Sequence, residues 1–103
     1  MMRLWPRSKP ASPTAELNFP NDCRSYDATR HAVRFWAYDS AMEISFYVAT
    51  DALIQIQPGT KSDETGFLRA FDTHRALIRT VAIEAYTRGS RGSYDLMASD
   101  FPA

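Results

Sequence analysis

Ala32–Val48, AVRFWAYDSAMEISFYV, decides the fold. Its residues alternate in character on either side of Asp39-Ser40-Ala41, which reads as two amphipathic strands and a tight turn, because successive strand side chains point to opposite faces. Val33, Phe35 and Ala37 share one face of the first arm, and Met42, Ile44, Phe46 and Val48 share the matching face of the second. That face is apolar and belongs to a core. The opposite face carries Arg34, Trp36 and Tyr38 on the first arm, with Glu43, Ser45 and Tyr47 on the second. A one-residue slip in pairing would exchange the two faces throughout. Like faces meet across a two-residue loop at Asp39-Ser40 or a four-residue loop from Asp39 to Met42, whereas a plain three-residue loop sets Tyr38 against Met42 and would need a bulge. The absence of Asn-Gly or Asp-Gly argues against the two-residue form.

Upstream, Leu17-Asn18-Phe19 alternates and stops at Pro20, as a short edge strand does. Residues 21–31 are polar and predict a connection in which Ser25–Arg30 turns and Asp27 caps the following amides. Residues 1–15 hold three prolines and three basic residues without an acid, and predict a disordered or loosely ordered tail. Arg3, Arg7 and Lys9 are too few for the charge run that marks a nucleic-acid or lipid-binding arm.

Downstream, Thr50 is the expected N-cap of a short helix over 51–57, which Pro58-Gly59 terminates. Ser62 is the expected N-cap of a long helix. Its apolar residues Phe67, Leu68, Phe71, Leu77, Ile78, Val81, Ala82, Ala85 and Tyr86 follow a 3.6-residue period, and Gly89 stands where a C′ glycine belongs. This helix should roof the inner face of the hairpin, so that a polar substitution at Phe71 or Ile78 unfolds the domain. Ser93–Met97 reads as a last strand with Tyr94 and Leu96 on one face. The order strand, hairpin, short helix, long helix, strand predicts an α+β domain over 16–103, with a small antiparallel sheet and helices packed on one face.

Composition bounds the function. The chain has 103 residues, enough for one domain, and its 12 acidic and 12 basic residues cancel, which removes the usual electrostatic case for non-specific nucleic-acid binding. Cys23 is the single cysteine, so no internal disulfide forms and a cytoplasmic location is the simplest expectation. Neither a signal-peptide apolar run nor a stretch long enough to span a membrane is present.

Chemistry-bearing residues are sparse. His31, His74 and Cys23 match no zinc spacing, and His74 lies beside the buried stripe of the long helix, where a satisfied boundary histidine is expected. A thiolate pair between Cys23 and His31 has no support from spacing, since such pairs are set by space. Asp27 with Arg30, and Arg34 with Glu43, read as ion pairs rather than as acid and base. Gly89-Ser90-Arg91-Gly92 follows a helix end, where carbonyls and not amides are free, and so reads as a stop and turn rather than a phosphate cradle. No catalytic residue, metal site or cofactor is expected.

Phe19-Pro20, Ser25-Tyr26-Asp27-Ala28-Thr29-Arg30, Val33-Arg34-Phe35, Asp51-Ala52-Leu53, Phe71 with Arg75 and Ile78, and Asp100-Phe101 together resemble the small bacterial proteins grouped as domain of unknown function 1488. The resemblance runs from about Leu17 to Phe101 and implies a stand-alone bacterial α+β protein. It supplies no catalytic residues.

What remains is the outer face of the hairpin. Arg34, Trp36, Tyr38 and Tyr47 combine aromatic rings with a guanidinium, a composition enriched at protein interfaces. The expected function is therefore a non-enzymatic binding or regulatory module that uses these residues for contact with a protein partner or with a second copy of itself. One alternative is a nucleic-acid-binding regulator that stacks single-stranded bases on the same rings. Another is a small enzyme or ligand-binding protein built on Tyr26, Asp27, Arg30 and His31.

Overall fold

The structure is a computed structural model, and it describes residues 17–20, 23–89 and 92–102. The expected tail at 1–15 and the turn residues 90 and 91 lie outside the described residues. In chain order the elements are β1 (Leu17–Asn18), β2 (Ser25–Asp27), β3 (Ala32–Asp39), β4 (Met42–Ala49), α1 (Thr50–Ile56), α2 (Glu64–Thr73), α3 (Arg75–Arg88) and β5 (Ser93–Leu96), followed by a short 3-10 turn at Ala98–Asp100. The class is α+β, as expected.

β3 and β4 form the predicted hairpin, with Val33 opposite Val48, Phe35 opposite Phe46 and Ala37 opposite Ile44. All six are buried. Pairing continues to Asp39 opposite Met42, so the loop is Ser40-Ala41. This is a two-residue loop placed one residue later than Asp39-Ser40, and it shares the Tyr38–Glu43 register of the four-residue form. Ser40 takes the turn's left-handed position, at φ 56°, where glycine would be unstrained.

Two parts of the sheet depart from expectation. β1 pairs with β3 at Asp39 and Tyr38, while Ser25–Asp27 is a strand that pairs with β3 at Arg34 to Ala32. The predicted turn is confined to Ala28–His31, with the Arg30 amide donating to Asp27 Oδ1 at 3.1 Å. β5 lies beside β4 in parallel, Phe46 opposite Tyr94 and Val48 opposite Leu96. The sheet is therefore mixed and mostly antiparallel. The chain leaves β4 and returns only after three helices, and a crossover of that length permits parallel pairing that a short turn forbids. Beyond β5, the Met97 amide donates to Asp100 Oδ2 at 2.8 Å.

On the inner face a ladder of aromatic rings runs from beside β1 across β3 and β4 to β5. Phe19 stacks on Phe35 at 6.2 Å between centroids, Phe35 on Phe46 at 5.2 Å, and Phe46 on Tyr94 at 5.4 Å. Phe71 of α2 meets Phe35 at 5.2 Å, and Tyr86 of α3 meets Tyr94 edge-on at 6.1 Å. Tyr86 also donates its hydroxyl to Asp39 at the end of β3. Such ring pairs add about 0.5–1.5 kcal/mol each beyond the area they bury.

The helices correct four further expectations. Thr50 is the first residue of α1, not its N-cap: Ala49 precedes it without a side-chain cap, and the Thr50 amide donates to the His31 carbonyl at 3.0 Å. That bond gives the first amide of α1 a partner within the turn that precedes β3. Asp63, not Ser62, caps α2, accepting from the Gly66 amide at 2.7 Å. The long helix is broken at His74 into α2 and α3. Thr73 there back-bonds to the Arg69 carbonyl at 3.0 Å and His74 Nε2 meets Gln57 Oε1 at 2.8 Å, and back-bonding of this kind bends helices. The apolar period runs through the break, so it left no trace in the pattern. Gly89 follows α3 but is extended, at φ 175°, and so is not a left-handed cap. Its carbonyl instead accepts the Tyr94 hydroxyl.

α2 is clasped to the strand edge by Arg24, whose guanidinium donates to both Asp72 carboxylate oxygens at 3.0 and 2.8 Å. These hydrogen bonds hold the Asp72 carboxyl below its ordinary range against the opposing effect of burial. Gly66 of α2 is fixed sterically, since a Cβ there would lie 2.3 Å from the Lys61 carbonyl oxygen.

Phe71→Ala should lower the unfolding free energy measured in urea by about 3–5 kcal/mol, because it deletes the ring that joins α2 to the ladder. Asp72→Asn should cost less than about 1 kcal/mol at neutral pH, since the pair is partly exposed. A depressed carboxyl stabilises the fold above its unfolded pKa of about 3.9 and loses that contribution as pH falls below it. The gap between wild type and Asp72→Asn in thermal melts should therefore close below about pH 4.

Candidate functional site

The outer face of the sheet follows from the parity of the inner one. With Phe35 and Phe46 inward, Arg34, Trp36 and Tyr38 of β3 and Glu43, Ser45 and Tyr47 of β4 point outward, in the rows Arg34–Tyr47, Trp36–Ser45 and Tyr38–Glu43. Arg34, Trp36, Tyr38 and Tyr47 are all half-buried. The structure brings the four predicted residues onto one surface.

Arg34 lies along that surface rather than projecting from it. Its guanidinium sits 4.8 Å from the Trp36 ring centroid and donates to Glu43 Oε2 at 3.1 Å and Ser45 Oγ at 3.0 Å. Tyr38 donates its hydroxyl to Glu43 Oε1 at 3.3 Å. The Arg34–Glu43 ion pair expected from the sequence is present. Arg34 Nε is shielded from solvent and has no hydrogen-bond partner among the described residues.

A second stack stands at the other end of the face. Arg30 reaches over the Tyr47 ring at 4.0 Å and approaches Asp95 Oδ1 at 3.4 Å. Arg30, Tyr47, Asp95 and Met97 surround a depression of about 370 Å³ whose remaining lining is Ala32 and Ala49. Sequence reasoning missed Asp95 and Met97 as outer-face residues. Their parity is opposite to that of Tyr94 and Leu96, but it places them beside Tyr47 only once β5 is known to pair with β4.

The Tyr26–His31 group does not converge. Tyr26 stacks on Phe67 at 5.8 Å and belongs to the inner side, while Arg30 crosses to the outer one. Asp27 is engaged with the Arg30 backbone and not with its guanidinium, so the expected Asp27–Arg30 ion pair is replaced by Arg30–Asp95. His31 is exposed at a left-handed turn position, φ 51°. These four residues are neighbours along β2 and the turn that follows it but do not share a pocket.

Other candidates have structural places. His74 is a boundary histidine at the helix break, bonded to Gln57. Cys23 is exposed at the start of the segment leading into β2. Among the described residues, no three His, Cys, Asp or Glu side chains cluster as metal ligands, and no helix is long and apolar enough to cross a membrane.

Residues 17–97 match the family described as "Protein of unknown function (DUF1488)". The chain belongs to the DUF1488 family. Its fold is shared by the crystal structure of a protein of unknown function from the DUF1488 family from Shewanella loihica PV-4, at 18% identity and TM-score 0.70 over 79% of this chain and 91% of that one. At that identity the likeness establishes the fold alone. No curated protein matches the chain. Membership in DUF1488 therefore brings an architecture without an assigned chemistry, and the outer face has to be read from its own geometry.

The Arg34–Glu43 pair should be weak in isolation. A double-mutant cycle of Arg34→Ala and Glu43→Ala in urea unfolding should give a coupling of about 0.2–1 kcal/mol, diminished by salt, because both side chains are partly exposed.

Proposed function

We propose that this DUF1488 protein is a non-enzymatic binding module, and that the outer sheet face carrying Arg34, Trp36, Tyr38 and Tyr47 makes contact with protein, including a second copy of the chain. One observation carries the reading: two arginine–aromatic stacks, Arg34 on Trp36 and Arg30 on Tyr47, lie on one side of the sheet opposite the helix-covered core. Trp, Tyr and Arg in this arrangement supply large contact areas with rigid rings and few rotamers to freeze, which is why they dominate interface energetics.

The electrostatics favour protein over nucleic acid. Arg34 and Arg30 already face Glu43 and Asp95, so the face offers no surplus of positive charge to a phosphate backbone. An enzymatic role finds no support in the Tyr26–His31 group, whose side chains diverge to opposite sides of the sheet.

Sedimentation velocity over a wide concentration range tests the reading. Wild type should associate reversibly, and Trp36→Ser should weaken that association at least about tenfold, the loss of one interface anchor. Single-stranded oligonucleotide added at low salt should leave the tryptophan fluorescence unchanged. Equal association of wild type and Trp36→Ser, or an oligonucleotide-induced shift that Arg34→Ala abolishes, would count against the reading.

A further inference from the structure

The outer face is graded along its strands. The rows nearest the hairpin turn are bulky and end in an acid, Tyr38 with Glu43 and then Trp36 with Ser45. The far rows run to Arg34 with Tyr47 and then to Ala32 with Ala49, the smallest pair on the face. That alanine pair belongs to the depression of about 370 Å³, with the Arg30 guanidinium beside it. The bulky end holds the Arg34–Glu43 pair and the hollow end the Arg30–Asp95 pair, so that large side chains meet small ones when the surface is laid on itself reversed.

Two-fold symmetry can use that complementarity in one way. Packed sheets lie about 10 Å apart, and a two-fold axis places the same patch on both subunits. An axis lying between the two sheets and across the strands sets each strand over its own copy running the other way. Tyr38 of one copy then faces the Ala32–Ala49 hollow of the other, Trp36 faces Arg34, and Glu43 approaches Arg30. The Arg30 side chain is 46% exposed and that of Asp95 61%, so the partner's Glu43 would share Arg30 with Asp95. An axis parallel to the strands would instead lay hollow on hollow and bulky row on bulky row, leaving a void at one end and crowding at the other.

Building on the reading of this face as a protein-binding surface, we infer that its occupant is a second copy of the chain. The dimer is face to face with strands reversed, Tyr38 filling the alanine hollow of the partner and Glu43 meeting the partner's Arg30.

Site-directed cross-linking tests the arrangement in a Cys23→Ser background. Full-length chains carrying Glu43→Cys are mixed with chains carrying Ala49→Cys and treated with a short bismaleimide. Within one chain these positions lie six residues apart on β4, about 20 Å, so a short link between them must join two chains. A linked dimer should form in the mixture and in neither variant alone. Ala49→Trp, which fills the hollow, should weaken association at least about tenfold, with circular dichroism confirming that it folds.

Linking of Glu43→Cys chains to one another would mean that strands run parallel, and would overturn the proposal. So would wild-type association by Ala49→Trp. Association that depends on Trp36 but yields no Glu43–Ala49 link would overturn this arrangement and leave the binding face standing. A wild-type monomer at every concentration would overturn the second copy as occupant, and association indifferent to Trp36→Ser would instead remove the binding face itself.

Discussion

The inner-face ladder of Phe19, Phe35, Phe46 and Tyr94 is the interaction on which the rest of the structure depends. It joins one ring from beside the edge strand, one from each arm of the hairpin and one from the strand that returns after the helices. Residues distant in sequence are thereby stacked in consecutive strand rows. Phe71 and Tyr86 set α2 and α3 against the same rings, so sheet and helices share a single contact line. Phe35 lies opposite Phe46 and Phe46 opposite Tyr94, so the ladder follows the register of β3, β4 and β5.

Register in turn decides the outer face. With Phe35 and Phe46 held inward, Arg34, Trp36, Tyr38 and Tyr47 have no choice of side. The same constraint that builds the core therefore presents the arginine–aromatic stacks on the opposite surface. Arg34 is held there by Glu43, Ser45 and Trp36 together, even with its Nε unpaired among the described residues.

The hairpin was legible because its alternation is long and its apolar residues are large. Val33 to Val48 reads the same way in sequence and in space except at Met42, expected on the core face but exposed beside the turn, and the buried residues Phe71, Ile78 and Tyr86 read as expected. What was not legible depends on contacts between distant segments. Ser25–Asp27 has a strand's backbone because β3 offers it an edge, not because three polar-leaning residues favour one. The parallel direction of β5 is permitted by the length of the helical crossover, which no property of Ser93–Leu96 reports. The break at His74 hides because Phe71 and Ile78, seven residues apart, fall on one helix face whether or not the helix bends between them. Of the outer face, the four hairpin residues could be named from parity, whereas Asp95 and Met97 could not until their neighbour strand was known.

The sheet's margins have a consequence for how this protein can assemble. One margin is divided between β1 and β2, two short strands that both pair with β3. The other is the four-residue β5, beyond which the Met97 amide is occupied by Asp100. Short, interrupted or capped edges give an incoming strand little to pair with. Lateral growth, which has no natural end point and leads to fibres, is thus discouraged at both sides. Contact through the outer face would be self-limiting, because a face once covered cannot recruit another chain.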